Sequence, residues 1–208
     1  MNDVLIIRHG ESEWNVEKRW QGWLDAPLTA RGLQQARDRA AFLAAVGFSP
    51  SLVVSSDLGR AQTTAEIIGA ALGAPCRQDA GLRERGGGEW EGCTADEIDA
   101  RWPGMRDAWR RGEITQPPGG EDDATVLARF DAALAVAVGS DGGDGGDGPQ
   151  LVVTHHGVLR LVASRAGANV HTLIPNLGGF WFTLDRGSLR SPVPLDVLPS
   201  ADVAPAVE

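Results

Sequence analysis

Residues 5–15 read LIIRHGESEWN. The run from Leu5 to Ile7, extended back to Asp3, is a short continuous apolar segment, the pattern of a strand buried on both faces. It passes directly into Arg8 and His9, with Gly10 next, where an ordinary turn would bring Asp, Asn or Ser. A strand buried on both faces implies a parallel sheet covered by helices, and in such sheets sites form beyond the carboxyl ends of the strands. The stretch therefore predicts both an α/β fold and a cation and an imidazole at its functional edge.

Working outward, strand and helix signals alternate. Residues 29–46 read as a helix capped by Thr29, with Leu33, Ala36, Ala40 and Leu43 on one face and Gly47 just past its end. Residues 51–55 (SLVVS) form a second buried strand, followed by a helix over 59–72. Thr94 and Glu97 make a capping box for a short helix ending before Trp102-Pro103. Further helices are expected over 104–111, 122–138 and 157–167, a third buried strand over 150–154 (QLVVT), and closing strands over 179–184 and 193–198. The prediction is a three-layer α/β/α sandwich with a mostly parallel central sheet. One domain spans residues 1–198, with a short helical cap insert at about 85–120. The Gly/Asp stretch 139–149 (GSDGGDGGDGP) resembles a calcium-binding turn only superficially, since the apolar strand positions of such repeats are missing; it reads as a flexible connection, and 199–208 as a disordered tail.

The 208 residues carry a formal net charge of −9, which argues against nucleic acid and anionic membranes as partners. Cys76 and Cys93 are the only cysteines and do not make a disulfide framework, and no apolar run reaches the length of a span. The expected location is the cytoplasm.

Three strand ends carry the chemistry. The first delivers Arg8, His9 and Gly10. The second delivers Ser55-Ser56-Asp57 and, on the following helix, Arg60. The third delivers His155, His156 and Gly157. Two arginines and two or three histidines on one sheet edge form a local positive site inside an acidic chain. Arg forks match a phosphoryl group, and a neutral imidazole can attack it. Gly10 and Gly157 leave room for backbone to close on a ligand. No Walker-type Gly-Lys-Ser/Thr motif occurs, and Ser55 and Ser56 lack a Gly-x-Ser-x-Gly elbow. His155-His156 fails as a zinc pair because adjacent residues at a strand end point apart.

Five stretches, LIIRHGESEWN, QGWLDAPLTARG, SSDLGRAQTTAEII, LRERGGGEWEG and VVTHHGVLR, occur in the order and spacing of the histidine phosphatase superfamily, the phosphoglycerate mutase-like family, and the chain resembles that family over residues 4 to about 182. The resemblance implies that His9 is the nucleophile that becomes phosphorylated, that Arg8, Arg60 and His155 hold the phosphoryl oxygens, and that Asn15 adds a contact. Gln21 and Gly22 fall on the loop that closes over substrate. Glu84 matches the carboxylate that protonates the leaving oxygen and later activates water, with Arg85 beside it. No cofactor or metal is implied.

Two departures bear on the reading. The family usually carries Gly-Gly after the histidine matched by His155, whereas this chain has His156-Gly157. Its side chain either points away, with only the backbone N–H serving the phosphate, or adds a polar contact to substrate; a filled site favours the first. The pattern over residues 82–98 fits the phosphatase branch, and the insert from Trp102 to Gly120 is short for a mutase. Arg110-Arg111 reads as an exposed helix end rather than a paired carboxylate site. Trp14, Trp20, Trp23 and Trp90 lie beside these motifs as packing or as an apolar substrate wall, with Trp20 foremost for the pocket. His171 reads as a loop residue. The function expected is a metal-independent phosphomonoesterase for a small phosphorylated metabolite, acting through a phosphohistidine. The alternatives are mutase-type transfer and a phosphoprotein-binding module with vestigial catalysis. Family members are monomers or homodimers, and both remain open for this chain.

Overall fold

The computed structural model describes residues 3–139, 148–170, 173–185 and 187–195. Most of the Gly/Asp stretch, His171 and the tail from 196 lie outside them.

A single six-stranded sheet forms the middle layer. Its strands are β1 (Asp3–Arg8), β2 (Leu52–Ser55), β3 (Cys76–Gln78), β4 (Gln150–Thr154), β5 (Gly179–Asp185) and β6 (Ser188–Pro194), in the spatial order β3-β2-β4-β1-β5-β6. β3, β2, β4 and β1 pair in parallel, while β5 runs antiparallel to β1 and β6 antiparallel to β5. The expected three-layer sandwich with a mostly parallel sheet is what the chain adopts.

Among the described residues seven α-helices surround it: α1 (Glu13–Val16), α2 (Ala30–Ala45), α3 (Gly59–Leu72), α4 (Ala95–Arg101), α5 (Met105–Arg110), α6 (Asp123–Ala137) and α7 (His156–Arg165). Successive strand residues point to opposite faces, so the apolar runs divide between two cores. Val4, Ile6, Val54 and Val152 face α6 and α7, packing on Val126, Phe130, Leu134, Leu159 and Val162. Leu5, Ile7, Val53, Leu151 and Val153 face α2 and α3, packing on Ala40, Leu43, Ala65 and Ile68. No helix among the described residues is long and apolar enough to cross a membrane.

Two strands depart from expectation. β3 is an unforeseen three-residue edge strand, Cys-Arg-Gln; it lacks an apolar run and exists through its pairing with β2, where Val53 partners Cys76. The closing strand begins at Ser188, five residues before the expected start at 193, and runs to Pro194; residues 196–198 of the expected strand lie outside the described residues. It forms a hairpin with β5 and carries Pro192 and Pro194, which an edge strand tolerates because its outer N–H groups need no partner.

The cap is held by a small third core in which buried Trp90, Cys93 and Ile98 meet Trp20, Trp102, Met105 and Trp109. Trp90 packs edge-on to Trp20 and Trp109, with ring centroids 5.0 and 6.0 Å away.

Candidate active site

The β1–β4 register builds the centre of the site. Arg8 partners Thr154, so the next residues, His9 and His155, leave the sheet side by side. The His9 N–H donates to the Thr154 carbonyl at 3.0 Å, and the two imidazoles meet edge to face at 5.1 Å between centroids. His9 is turned by its own backbone: its Nδ1 lies 2.7 Å from the Gly10 carbonyl oxygen. A carbonyl can only accept, so Nδ1 carries the proton and Nε2 carries the lone pair. Burial, reinforced by the charges of Arg60 and Arg8, pushes the His9 pKa well below its usual value. The ring is therefore neutral at physiological pH, as a nucleophile must be.

Arg8 and Arg60 flank it. Arg8 donates through Nη1 to the Ile174 carbonyl, and burial lowers its pKa to about 10, which leaves it cationic. Arg60, from the first turn of α3, donates to the carbonyls of Leu24 and Gly22 and pairs with Asp25 at 2.9 Å. It thereby ties the Gly22–Asp25 loop to the site. The Nε groups of both arginines, and both ring nitrogens of His155, are buried with no protein partner. Such groups ordinarily find one, so unpartnered guanidinium donors of two arginines whose charges act on His9 suit a bound oxyanion. His155 is also held neutral, by burial first and then by Arg60, with its ring edge-on to that of His9.

Glu84 stands opposite. Its Oε1 accepts from the Arg85 N–H at 2.8 Å, and its Oε2 accepts from the Gly157 N–H at 3.1 Å, at the N-terminus of α7. The two glycines expected to admit a ligand are filled from within. A Cβ at Gly157 would lie 2.5 Å from Glu84 Oε1, and one at Gly10 would lie 2.7 Å from the Gly32 carbonyl of α2. Gly157 makes room for the carboxylate, and Gly10 for the packing of α2 on the strand end.

These residues open into a cleft of about 1190 Å³, also lined by Asn15, Trp20, Gln21, Gly22, Arg85 and His156. Asn15 closes the α1 capping box, its Oδ1 accepting from Ser12 N–H and from Asn176 Nδ2. Gln21 Oε1 accepts from the Ser12 hydroxyl at 3.0 Å. Arg85 is 7% exposed, ion-paired with Asp123 and stacked over Trp109 at 5.7 Å, so it bolts the cap to α6. His156, expected to turn its side chain away, is among the residues that line the cleft, with its Nδ1 buried. Space exists because Gly157, not His156, carries the close approach. Arg110 also lines the cleft, while Arg111 pairs with Glu113 at 2.6 Å outside it. Of the tryptophans, Trp14 and Trp20 line the cleft, Trp90 is wholly core, and Trp23 donates Nε1 to the Glu84 carbonyl at 2.8 Å.

Several participants carried no sequence signal. Arg129 of α6 donates to the carbonyls of Gly81, Arg83 and Glu84 and pairs with Glu121, whose Oε2 also accepts from the Gly86 N–H. This pair holds the loop that presents Glu84. Asn176 donates to the His9 carbonyl at 3.0 Å. Both lie far in sequence from what they hold, and only Asn176 reaches the cleft wall. Among the described residues no group of three or more His, Cys, Asp or Glu side chains is placed to hold a metal ion.

Paired arginines and a neutral imidazole at a parallel-sheet edge define an enzyme of phosphoryl transfer. The chain belongs to the histidine phosphatase superfamily (branch 1), whose model matches residues 4–177. It is 39% identical over 165 residues to glucosyl-3-phosphoglycerate phosphatase of Mycobacterium tuberculosis, covering 77% of this chain and 73% of that protein. It is 38% identical over 130 residues to a 2,3-bisphosphoglycerate-dependent phosphoglycerate mutase of Bradyrhizobium, with 61% and 63% covered. A solved structure of the mycobacterial glucosyl-3-phosphoglycerate phosphatase with VO3 superposes with a TM-score of 0.79 at 35% identity, covering 95% of this chain and 99% of that one. These relationships make the chain a phosphoric monoester hydrolase of the superfamily.

Proposed function

We propose that the protein hydrolyses a small phosphorylated metabolite, without a metal, through a phosphohistidine at His9. The observation that carries this is the His9 Nδ1–Gly10 carbonyl contact of 2.7 Å, which leaves Nε2 as the free lone pair between Arg8 and Arg60. In the first step Nε2 attacks phosphorus while Arg8, Arg60 and His155 take up charge on the phosphoryl oxygens, and the protonated Glu84 gives its proton to the leaving alkoxide. In the second step Glu84, now ionised, takes a proton from water. The water oxygen displaces His9 from phosphorus and releases inorganic phosphate. The approach of a phosphate dianion also supplies the negative charge that would let His155 bind a proton.

The leaving group occupies the outer cleft, where Trp14, Trp20 and Trp109 offer apolar faces and Asp122 offers a carboxylate. That mixture suits a polyhydroxylated substrate, and glucosyl-3-phosphoglycerate, named for the mycobacterial relative, is the first compound to assay. The exposed free thiol of Cys76 fits the reducing cytoplasm.

The test is a panel of phosphate monoesters assayed for released phosphate with and without EDTA, beside H9A. The expected result is turnover that EDTA leaves unchanged, an acid-labile phosphoryl-enzyme, and loss of both in H9A. Full activity in H9A would overturn the reading.

A further inference from the structure

The cleft holds more positive charge than a phosphoryl group uses. Arg8 and Arg60 belong to the phosphoryl site. Of the other arginines on the cleft wall, Arg19 is paired with Glu17 and Glu97, Arg85 with Asp123, and Arg110 with Asp107. Lys18 is exposed at the mouth. Arg160 differs from all of these: it is half-buried on the wall and makes no hydrogen bond or ion pair with any described residue. One helical turn before it on α7 stands His156, also on the wall, with its Nδ1 buried and without a partner. The spacing of four residues places the two side chains next to each other on one face of the helix.

We infer that His156 and Arg160 form a subsite for a carboxylate on the leaving group of the substrate. This rests on the phosphomonoesterase reading and deepens it. A guanidinium fork matches a planar carboxylate through two parallel hydrogen bonds, and a single negative charge balances Arg160, the half-buried cation of the wall that has no partner among the described residues. His156 contributes as a neutral donor. Burial first, then the charge of Arg8, lowers its pKa to about 4; Glu84 opposes that effect, and Arg160 adds to it. No second cation therefore arises beside Arg160 at neutral pH. The arrangement is independent of Arg110-Arg111, which are occupied by Asp107 and Glu113. It is specific to a chain that carries His156 in front of Gly157.

The experiment compares 3-phosphoglycerate with glycerol 3-phosphate, which differ by a carboxylate in place of a hydroxymethyl group. The wild-type enzyme is expected to favour the first in kcat/KM by about tenfold or more, the scale of one charge-assisted hydrogen-bonded pair. In R160M the ratio falls to near one, and in H156G it falls part of the way. R165M, an exposed arginine of the same helix paired with Asp131, keeps the wild-type ratio. A second arm needs no turnover: calorimetric binding of both compounds to H9A protein, with the same preference expected and its loss expected in H9A/R160M. Absence of phosphate release from every ester would sink the hydrolase reading while the binding arm still decides the subsite. An equal affinity for the two compounds, or a preference that survives R160M, would overturn the subsite.

Discussion

The Nδ1 of His9 lies 2.7 Å from the carbonyl oxygen of Gly10, the next residue in the chain. A nucleophile is thus oriented by a contact one peptide long. The contact needs no partner from elsewhere in the fold, so the tautomer is set as soon as the strand ends. The rest of the fold supplies the charges around Nε2.

The first prediction concerns those charges. His9 and His155 are held well below the usual histidine pKa and His156 is lowered to about 4, in each case by burial before any other cause. In the unfolded chain all three titrate near about 6.5. As pH falls below that value the unfolded state binds protons that the folded state refuses, so stability is fully present above about pH 6.5 and declines below it, by up to about 1.4 kcal/mol per pH unit for each histidine. Urea midpoints measured from about pH 7 down to about pH 5 should fall steadily. The ring signals of these histidines in NMR spectra should remain those of neutral imidazole at about pH 6. A protonated His9 at that pH would contradict the charge arrangement.

Gly157→Ala separates folding from catalysis. The new methyl would meet Glu84 Oε1, the far end of a flexible side chain, so the carboxylate swings aside and the backbone stays. Replacing a glycine in the first turn of α7 with alanine favours the helix by up to about 1 kcal/mol. The variant should melt no lower than wild type while kcat falls by about 100-fold or more, the scale of lost acid–base catalysis. Wild-type kcat would show that Glu84 needs no such placement.

Arg129 is predicted to matter to both. Its side chain gives hydrogen bonds to three carbonyls of the Glu84 loop and pairs with Glu121 at 2.8 Å, where the two side chains are 17% and 15% exposed. Arg129→Met removes the side-chain donor from the Gly81 and Arg83 carbonyls and leaves the Glu84 carbonyl only Trp23 Nε1 and the Glu121 carboxylate only the Gly86 N–H, and breaking this part-buried ion pair costs about 3 kcal/mol. It should also lower kcat more than it raises KM, because it loosens a catalytic group rather than a binding wall. Chemical denaturation and steady-state kinetics on the same preparation check both, and an unchanged midpoint would remove the role assigned to the pair.

Arg60 links the phosphoryl site to the loop that closes over it. Arg60→Lys keeps a cation but cannot reach Asp25 and the Gly22 and Leu24 carbonyls together. The expected outcome is a loss of kcat/KM of at least about 100-fold, the scale of one lost charge-stabilising donor, accompanied by faster proteolysis of the 20–27 segment. Fast turnover in this variant would mean that charge alone suffices.

The sheet and its two cores were legible because Leu5–Ile7, Leu52–Val54 and Leu151–Val153 are unbroken apolar runs followed by helical periodicity. The strand ends were legible for the same reason: Arg8, His9, Arg60 and His155 lie in local stretches whose residue types suit phosphate chemistry, whereas Glu84 was marked only by the family resemblance. β3 and β6 were not, since a three-residue polar edge and a proline-bearing edge acquire strand character from a neighbour.

By itself the sequence determined the layered fold and, through the family resemblance, the proposed catalytic set, because the motifs that carry both are residues close together in the chain. Tertiary structure alone decided that Arg129 and Glu121 would hold Glu84, that Asn176 would brace His9, that Gly157 would make room for a carboxylate, and that His156 would face the cleft beside an unpaired Arg160. The contacts to Glu84 and His9 join segments dozens of residues apart through side chains to backbone carbonyls or through excluded volume. Neither a hydrogen bond to a distant carbonyl nor the space left by a missing Cβ leaves a pattern along the chain.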